Sequence, residues 1–357
     1  DRAIKRRNVV LDQMLETGYI DQATHDKVIA EPITVNFHPV EDVSDGYSAY
    51  YKFFLRKEIQ KYLEEYEKET GKNVNLFRDG LKIYVTLDSK MQKYAEEAIK
   101  EHLTNLQKGF DAEQRRNPNR PFYFLKKKQI DDIMLAAMKR TGRYKQLAAE
   151  GVSEDSILMD FKTPTKTTIF TWEGEKETEM SPYDSIRYHK QIAQAGLMSM
   201  EPATGDIKAW VGGIDWKHFQ YDHVKQGKRQ VGSTFKPFVY ATAIEQLGMS
   251  PCDSIIDSYF TMPKGKWGID KDWSPKNSDG NYRGTITLQK ALANSVNTVS
   301  AKLIDRVGPK AVVDMAKELG VTSDIPEQPS IALGAVDITV EQMVGAMSTF
   351  ANQGVYV

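Results

Sequence analysis

The sequence predicts a mixed α/β (α+β) fold, an antiparallel sheet flanked by helices, and three observations carry that expectation. Apolar residues recur at helical spacing in stretches closed by glycine, one hairpin signature occupies residues 195–211, and a chain of 357 residues with 40% apolar composition can bury about two cores.

In chain order, Leu11, Met14 and Leu15 form an apolar stripe that stops at Gly18, and Asp21 precedes a second stripe that ends before Pro32, which makes a helix pair. An irregular stretch follows, then a helix with Tyr51, Leu55, Ile59, Tyr62 and Tyr66 on one side. Residues 81–87 alternate as a strand. Ser89-x-x-Gln92 then reads as a capping box, opening a helix with Met91, Ala95, Ala98 and Ile99 inward. From 108 to 187 the chain is charged and broken by Pro118, Pro121, Pro164 and Pro182, so it is read as a linker or small accessory domain. Composition changes near Gln194, where a turn at Pro202-Ala203-Thr204-Gly205-Asp206 joins two apolar runs into the hairpin. That hairpin is expected to pack beneath a helix starting near Ser233, through Phe238, Ala241 and Ile244. Further helices are expected at 234–247, 288–294, 298–307 and 311–319, with Gly248, Gly308 and Gly320 as stops.

Several function classes are disfavoured. A net charge of −1 with interspersed signs lacks the electrostatic footprint of a nucleic-acid binder. No run approaches the roughly 18 to 20 apolar residues of a membrane span. The six histidines show no metal-ligand spacing, so neither a metal nor a cofactor is expected. Cys252 sits in Ser250-Pro251-Cys252-Asp253, a turn with an acid rather than the electropositive setting a reactive thiol needs. The run from Gly227 to Thr234 has the glycines of a phosphate loop, but Ser233 stands where its lysine belongs.

The informative segment is Gly232-Ser233-Thr234-Phe235-Lys236-Pro237-Phe238. Positions i and i+3 share a helix face, and Pro237 is tolerated only in the first turn, so Ser233 must lie at a helix N-terminus, where developing negative charge is favoured. A serine hydroxyl needs a base, and a lysine serves once burial depresses its pKa. About sixty residues on, Ser295-Val296-Asn297 falls between two helices, with a second hydroxyl to relay protons and an amide to bind peptide. Ser-x-x-Lys followed by Ser-x-Asn is the order found in penicillin-binding proteins and β-lactamases.

The flanks extend that likeness. Residues 229–238 resemble the nucleophile segment of the transpeptidase domain of class A penicillin-binding proteins, with Val231 where proline is usual. Residues 277–284 and Ala291-Leu292 resemble the approach to the second motif, and Ala332-Leu333-Gly334-Ala335 and Phe350-Ala351-Asn352-Gln353-Gly354 a later helical segment. Upstream, residues 7–14 with Gly18-Tyr19-Ile20 are similar to the tail of the glycosyltransferase domain, and residues 80–88 to the strand joining the two halves. The resemblance implies a glycosyltransferase tail at 1–35, a linker region at 36–190 and a transpeptidase domain at 191–357. It is weakest from 108 to 187. The family's third motif, Lys-Thr-Gly or Lys-Ser-Gly on an edge strand, does not occur after Ser295; Arg140-Thr141-Gly142 imitates it but precedes the nucleophile.

The resemblance implies a serine acyltransferase that cross-links peptidoglycan stem peptides and is acylated by β-lactams. Ser233 is the expected nucleophile, Lys236 its base, Ser295 a proton relay and Asn297 a holder of the peptide backbone. The expected location is the extracytoplasmic face of the bacterial membrane, with an anchor preceding Asp1 and wall-synthesis proteins as partners. Without the third motif the fragment is expected to be impaired. Two alternatives are a non-catalytic scaffold and a β-lactamase or penicillin sensor. Trp267 and Trp273 flank a polar loop and either line a peptide groove or pack the loop.

Overall fold

The structure, a computed structural model, describes residues 2–33, 46–117 and 119–357. Most of the irregular stretch before the tyrosine-striped helix, the expected boundary at 35/36 and Pro118 lie outside them. Two compact units are distinguished, Asp1–Asp45 and Gly46–Val357.

In the first unit, α1 (Arg2–Glu16) and α2 (Gln22–Ala30) pack as a pair. Asp21 caps α2 by accepting from the Thr24 N–H at 2.8 Å, and the Arg7 guanidinium donates to the Ile29 and Glu31 carbonyls at the far end.

In the second unit, α3 (Ala49–Thr70) buries Tyr50 and Tyr51 against Trp210 and Val224, and the Tyr50 hydroxyl donates to the Phe219 carbonyl. Tyr62, at the other end of the stripe, is exposed. The next helix, α4 (Ser89–Gln114), is capped one residue earlier than expected: Asp88 accepts from the Lys90 and Met91 N–H groups, both at 2.9 Å. A carboxylate at the cap also suits the helix dipole, so Asp88 displaces Ser89 from that role. Ile99 and Leu103 face inward, whereas Met91 and Ala98 are exposed.

The region read as a linker or small accessory domain is folded. Helices α5 (Lys127–Arg140), α6 (Gly142–Ala149) and α7 (Glu154–Lys162), the antiparallel hairpin β1 (Thr165–Thr171) and β2 (Gly174–Met180), and α8 (Pro182–His189) follow in order. Met138, Ile157 and Phe161 form a core there. Helices α6, α7 and α8, of eight or nine residues each, are too short to stand out against the charged background, and packing against neighbours supplies what propensity does not. Arg140-Thr141-Gly142 is a helix junction in which the Thr141 side chain caps α6.

Beyond residue 194, β3 (Leu197–Met200) and β4 (Ile207–Val211) form the expected antiparallel hairpin, with a register shift at Ser199/Met200. Then come β5 (Arg229–Gln230), a 3₁₀ turn at Gly232–Phe235 and α9 (Lys236–Leu247). They are followed by β6 (Ser254–Asp257), paired antiparallel with β7 (Gly284–Thr287), and by α10 (Leu288–Ala293), α11 (Asn297–Val307) and α12 (Pro309–Glu318). Last are β8 (Asp337–Ile338), paired with β5, and α13 (Val340–Ala351).

The hairpin does not seat the helix that follows Ser233. β3 packs on α13 and β4 on α4 and α3, while α9 packs on α10, α11 and α12. The reason is that α9 is apolar around most of its circumference: Phe238, Val239, Tyr240 and Ala243 are all buried, which requires helices on several sides rather than one sheet face. Ile244 is left exposed. With Phe235, Val299, Leu303, Ile304, Val312, Val313 and Ile331, these residues make the largest apolar core.

Among the described residues the expected strand at 81–87 forms no ladder. The Thr86 hydroxyl and the Asp88 N–H reach β4, donating to the Ile207 and Lys208 carbonyls at 3.1 and 3.0 Å. The position facing Trp210 is taken by Gln92 of α4, whose amide accepts from the Trp210 N–H at 2.7 Å and donates to its carbonyl at 2.9 Å. Among the described residues the strands form four separate antiparallel pairs rather than one sheet.

Candidate active site

Ser233 lies in the 3₁₀ turn and Lys236 opens α9, with Pro237 second in the helix, where a missing N–H costs nothing. A 3₁₀ turn eclipses positions i and i+3, so Ser233 and Lys236 stand over one another. Their surroundings differ sharply: Ser233 is exposed, while the Lys236 side chain runs inward and is 1% exposed.

The turn is fixed from outside by backbone. Beyond the β5–β8 pair, the Val231 N–H donates to the Val336 carbonyl at 3.0 Å and the Gly232 N–H to the Gly334 carbonyl at 3.1 Å. Gly334, at φ +73°, lies so close that a Cβ there would sit 1.8 Å from the Gly232 carbonyl oxygen. Glycine is needed both for the left-handed backbone and for the contact.

Lys236 Nζ donates three hydrogen bonds, to the Ser295 carbonyl at 2.5 Å, the Ser295 Oγ at 2.9 Å and the Asn297 Oδ1 at 2.7 Å. All three N–H groups of the ammonium are thereby used, on neutral acceptors. Burial pushes the Lys236 pKa down to about 8. Ser295 is held at φ +52°, a left-handed backbone uncommon for serine, in the bend between α10 and α11. That backbone lets its carbonyl and its hydroxyl face the same amine. Three of the four site residues expected from sequence are thus joined by hydrogen bonds across about sixty positions. The Ser233 hydroxyl accompanies them through the turn, and among the described residues no hydrogen bond ties it to Lys236.

Behind this group is a polar cluster that the sequence reading did not single out. Asp257, at the buried end of β6, accepts from the Thr298 hydroxyl at 2.5 Å, the Asn277 amide at 2.9 Å and the Arg283 N–H at 2.9 Å. Burial alone would raise its pKa; these hydrogen bonds and the Arg283 guanidinium 3.6 Å away outweigh that and hold it below the ordinary carboxylate value. A signal did exist. Burial alternates along β6, and Asp257 shares the inward side of Ile255, an unusual register for an acid.

An apolar groove of about 550 Å³ borders the turn, lined by Met200, Pro202, Val231, Thr234, Ile338 and Met343 among others. The Trp267 indole donates to Asp305 at 3.3 Å beside Gly308, and Trp273 is bridged to Met262 by backbone. Cys252 is exposed in its turn. Among the described residues no cluster could hold a metal ion, and no helix is long and apolar enough to cross a membrane.

Comparison with known proteins finds family matches from residue 117 onward in the second unit. Residues 195–357 match the penicillin binding protein transpeptidase domain, and residues 117–193 match the penicillin-binding protein middle domain, in the region where the sequence reading was weakest. Penicillin-binding protein 1A of Aquifex aeolicus is 31% identical across 99% of this chain and 46% of its own length. The corresponding protein of Pseudomonas aeruginosa is 27% identical across 99% of the chain and 44% of its length. The chain therefore spans about half the length of the curated relatives it matches. In fold it is similar to the crystal structure of penicillin-binding protein 1A from Haemophilus influenzae, with a TM-score of 0.58, 22% identity, and coverage of 98% of this chain and 52% of that one.

Proposed function

Because the chain belongs to the class A penicillin-binding proteins, we propose that residues 191–357 form part of a serine D,D-transpeptidase that cross-links peptidoglycan, with Ser233 as nucleophile. One observation carries the assignment: a buried lysine, three residues from an exposed serine at a helix start, points at a second serine and an asparagine sixty residues away.

The chemistry follows from proton counting. As an ammonium, Lys236 has no lone pair to offer. Losing one proton leaves two N–H groups for the Ser295 carbonyl and Asn297, and frees the Nζ lone pair toward a hydroxyl. Ser233 Oγ then attacks the carbonyl between two D-alanines; the C–O bond forms while its proton passes to Lys236. Collapse of the tetrahedral intermediate breaks the C–N bond, and the departing D-alanine amine takes a proton through Ser295. A neighbouring stem peptide's amine attacks the resulting ester, breaking the Ser233–acyl bond and returning a proton to Oγ. The N-terminal end of α9 favours the developing oxyanion. β-Lactams enter at the first step, ring opening replacing departure of the amine.

On this reading residues 1–35 are the tail of a glycosyltransferase domain and 36–190 an intervening region, the whole working on the extracytoplasmic face of the bacterial membrane. Fluorescent penicillin with mass spectrometry tests it. A stable adduct on Ser233 in the full-length protein, absent from Ser233→Ala, is expected. Rapid turnover of the adduct would indicate a β-lactamase, and no adduct a scaffold.

A further inference from the structure

The bend at Ser295 has no cap of its own. Val296 occupies the N-cap position of α11 and has no side chain able to accept a hydrogen bond, leaving the first N–H groups of the helix without a local partner. They are satisfied from a distance: the Asn277 Oδ1 accepts from the Asn297 N–H at 3.0 Å and from the Thr298 N–H at 3.2 Å.

The amide of Asn277 has two possible orientations, and only one places oxygen toward α11. Asp257 selects it. A buried carboxylate only accepts, so the Asn277 NH₂ must turn to Asp257 Oδ1, with its second hydrogen on the Asn281 carbonyl at 2.8 Å. The adjoining residue acts on the next amide: the Asn297 NH₂ donates to the Lys276 carbonyl at 2.9 Å, which turns the Asn297 Oδ1 toward Lys236. Two amide orientations and one helix start are therefore set by the 276–277 segment, and that segment is anchored on Asp257.

We propose that Asp257, acting through Asn277, is a positioning residue for the acyl-transfer site: it fixes the start of α11 and, with Lys276, the acceptors that surround the Lys236 amine. This inference rests on the proposed function for its consequence but not for its geometry. In Asp257→Asn the constraint is lifted, because an amide can donate as well as accept and no longer dictates how Asn277 faces.

The test uses the full-length protein and its Asp257→Asn, Asn277→Ala and Val313→Ala variants. Val313 is buried in the α12 core and supplies a purely structural loss of stability. Two readouts are taken well below every melting temperature: amide hydrogen exchange at Asn297 and Thr298, and the pH profile of Ser233 acylation by fluorescent penicillin. Asp257→Asn and Asn277→Ala should speed exchange at both amides and lower the plateau acylation rate about tenfold or more, as loss of alignment does. They should also move the midpoint of the profile downward, since a less well-held ammonium gives up its proton more easily. Val313→Ala should leave the midpoint in place and the plateau within about twofold, as expected for a substitution that changes no contact of the reacting groups. An unchanged plateau and midpoint in Asp257→Asn, or the same changes in Val313→Ala, overturns the proposal. If the parent protein takes no label at Ser233, the proposed function fails instead, and unaccelerated exchange in Asp257→Asn would still refute the network.

Discussion

Lys236 is the group whose perturbation is most sharply defined. With its pKa pushed down to about 8, about one molecule in eleven carries the neutral amine at pH 7, against about one in three thousand for a lysine at 10.5. Burial thus raises the supply of base about 300-fold. The acylation rate of Ser233 should rise roughly tenfold per pH unit below 7, bend near pH 8 and level off. Lys236→Arg keeps a cation that cannot deprotonate and should lose about 10²- to 10⁴-fold in rate at every pH. Stopped-flow acylation with a chromogenic β-lactam between pH 6 and 10 measures both. The same shift has a stability counterpart of about 3 kcal/mol. Between pH 8 and 10.5 the unfolded chain holds the proton that the folded chain has released, so stability rises with pH across that window; below pH 8 the whole penalty is present. A rate profile that is flat, or that bends near 10.5, would refute the claim that Lys236 is the activated base, as would Lys236→Arg at full rate.

Other consequences are as open to measurement. Gly334→Ala puts a Cβ into the Gly232 carbonyl at a φ that favours glycine, so it should cost several kcal/mol, roughly 2 to 4, and slow acylation as the Ser233 turn shifts; thermal denaturation together with labelling reads both. Gln92→Ala strips partners from the buried N–H and carbonyl of Trp210 and should cost about 2 to 4 kcal/mol in chemical denaturation, with Ser233 labelling retained at temperatures where the variant is folded.

The sequence made some of this readable because the signals were local. Gly248 and Gly308 end helices where they were expected to, and Pro237 so close behind Lys236 restricts that segment to a helix start. Residues 141–187 were opaque for the opposite reason: their helices are short, and what identifies them is burial of Ile157 and Phe161 together with Met138. The strand at 81–87 had the right alternation but lacked a partner, because Gln92 had taken the place at Trp210 that a neighbouring strand would fill. Asp257 and Asn277 were invisible as site residues. Polar residues that act by meeting a helix twenty or forty positions later leave no periodic trace, and only the inward register of Asp257 hinted at its place.

Gln92 also gives the β3–β4 hairpin a direction. An open strand edge accepts any chain that offers a row of donors and acceptors. With a side-chain amide impersonating a peptide unit at Trp210, and Thr86 and Asp88 occupying the carbonyls beside it, recruitment along β4 is blocked. Among the described residues no strand pairs with the other edge, that of Leu197–Met200. The two strands thus differ: the outer edge of β4 is closed by a side-chain amide and loop backbone, while β3 packs on α13 and ends at Met200, which also lines the groove bordering the Ser233 turn. One strand of the hairpin is thereby sealed by Gln92, and the other leads to the groove beside Ser233.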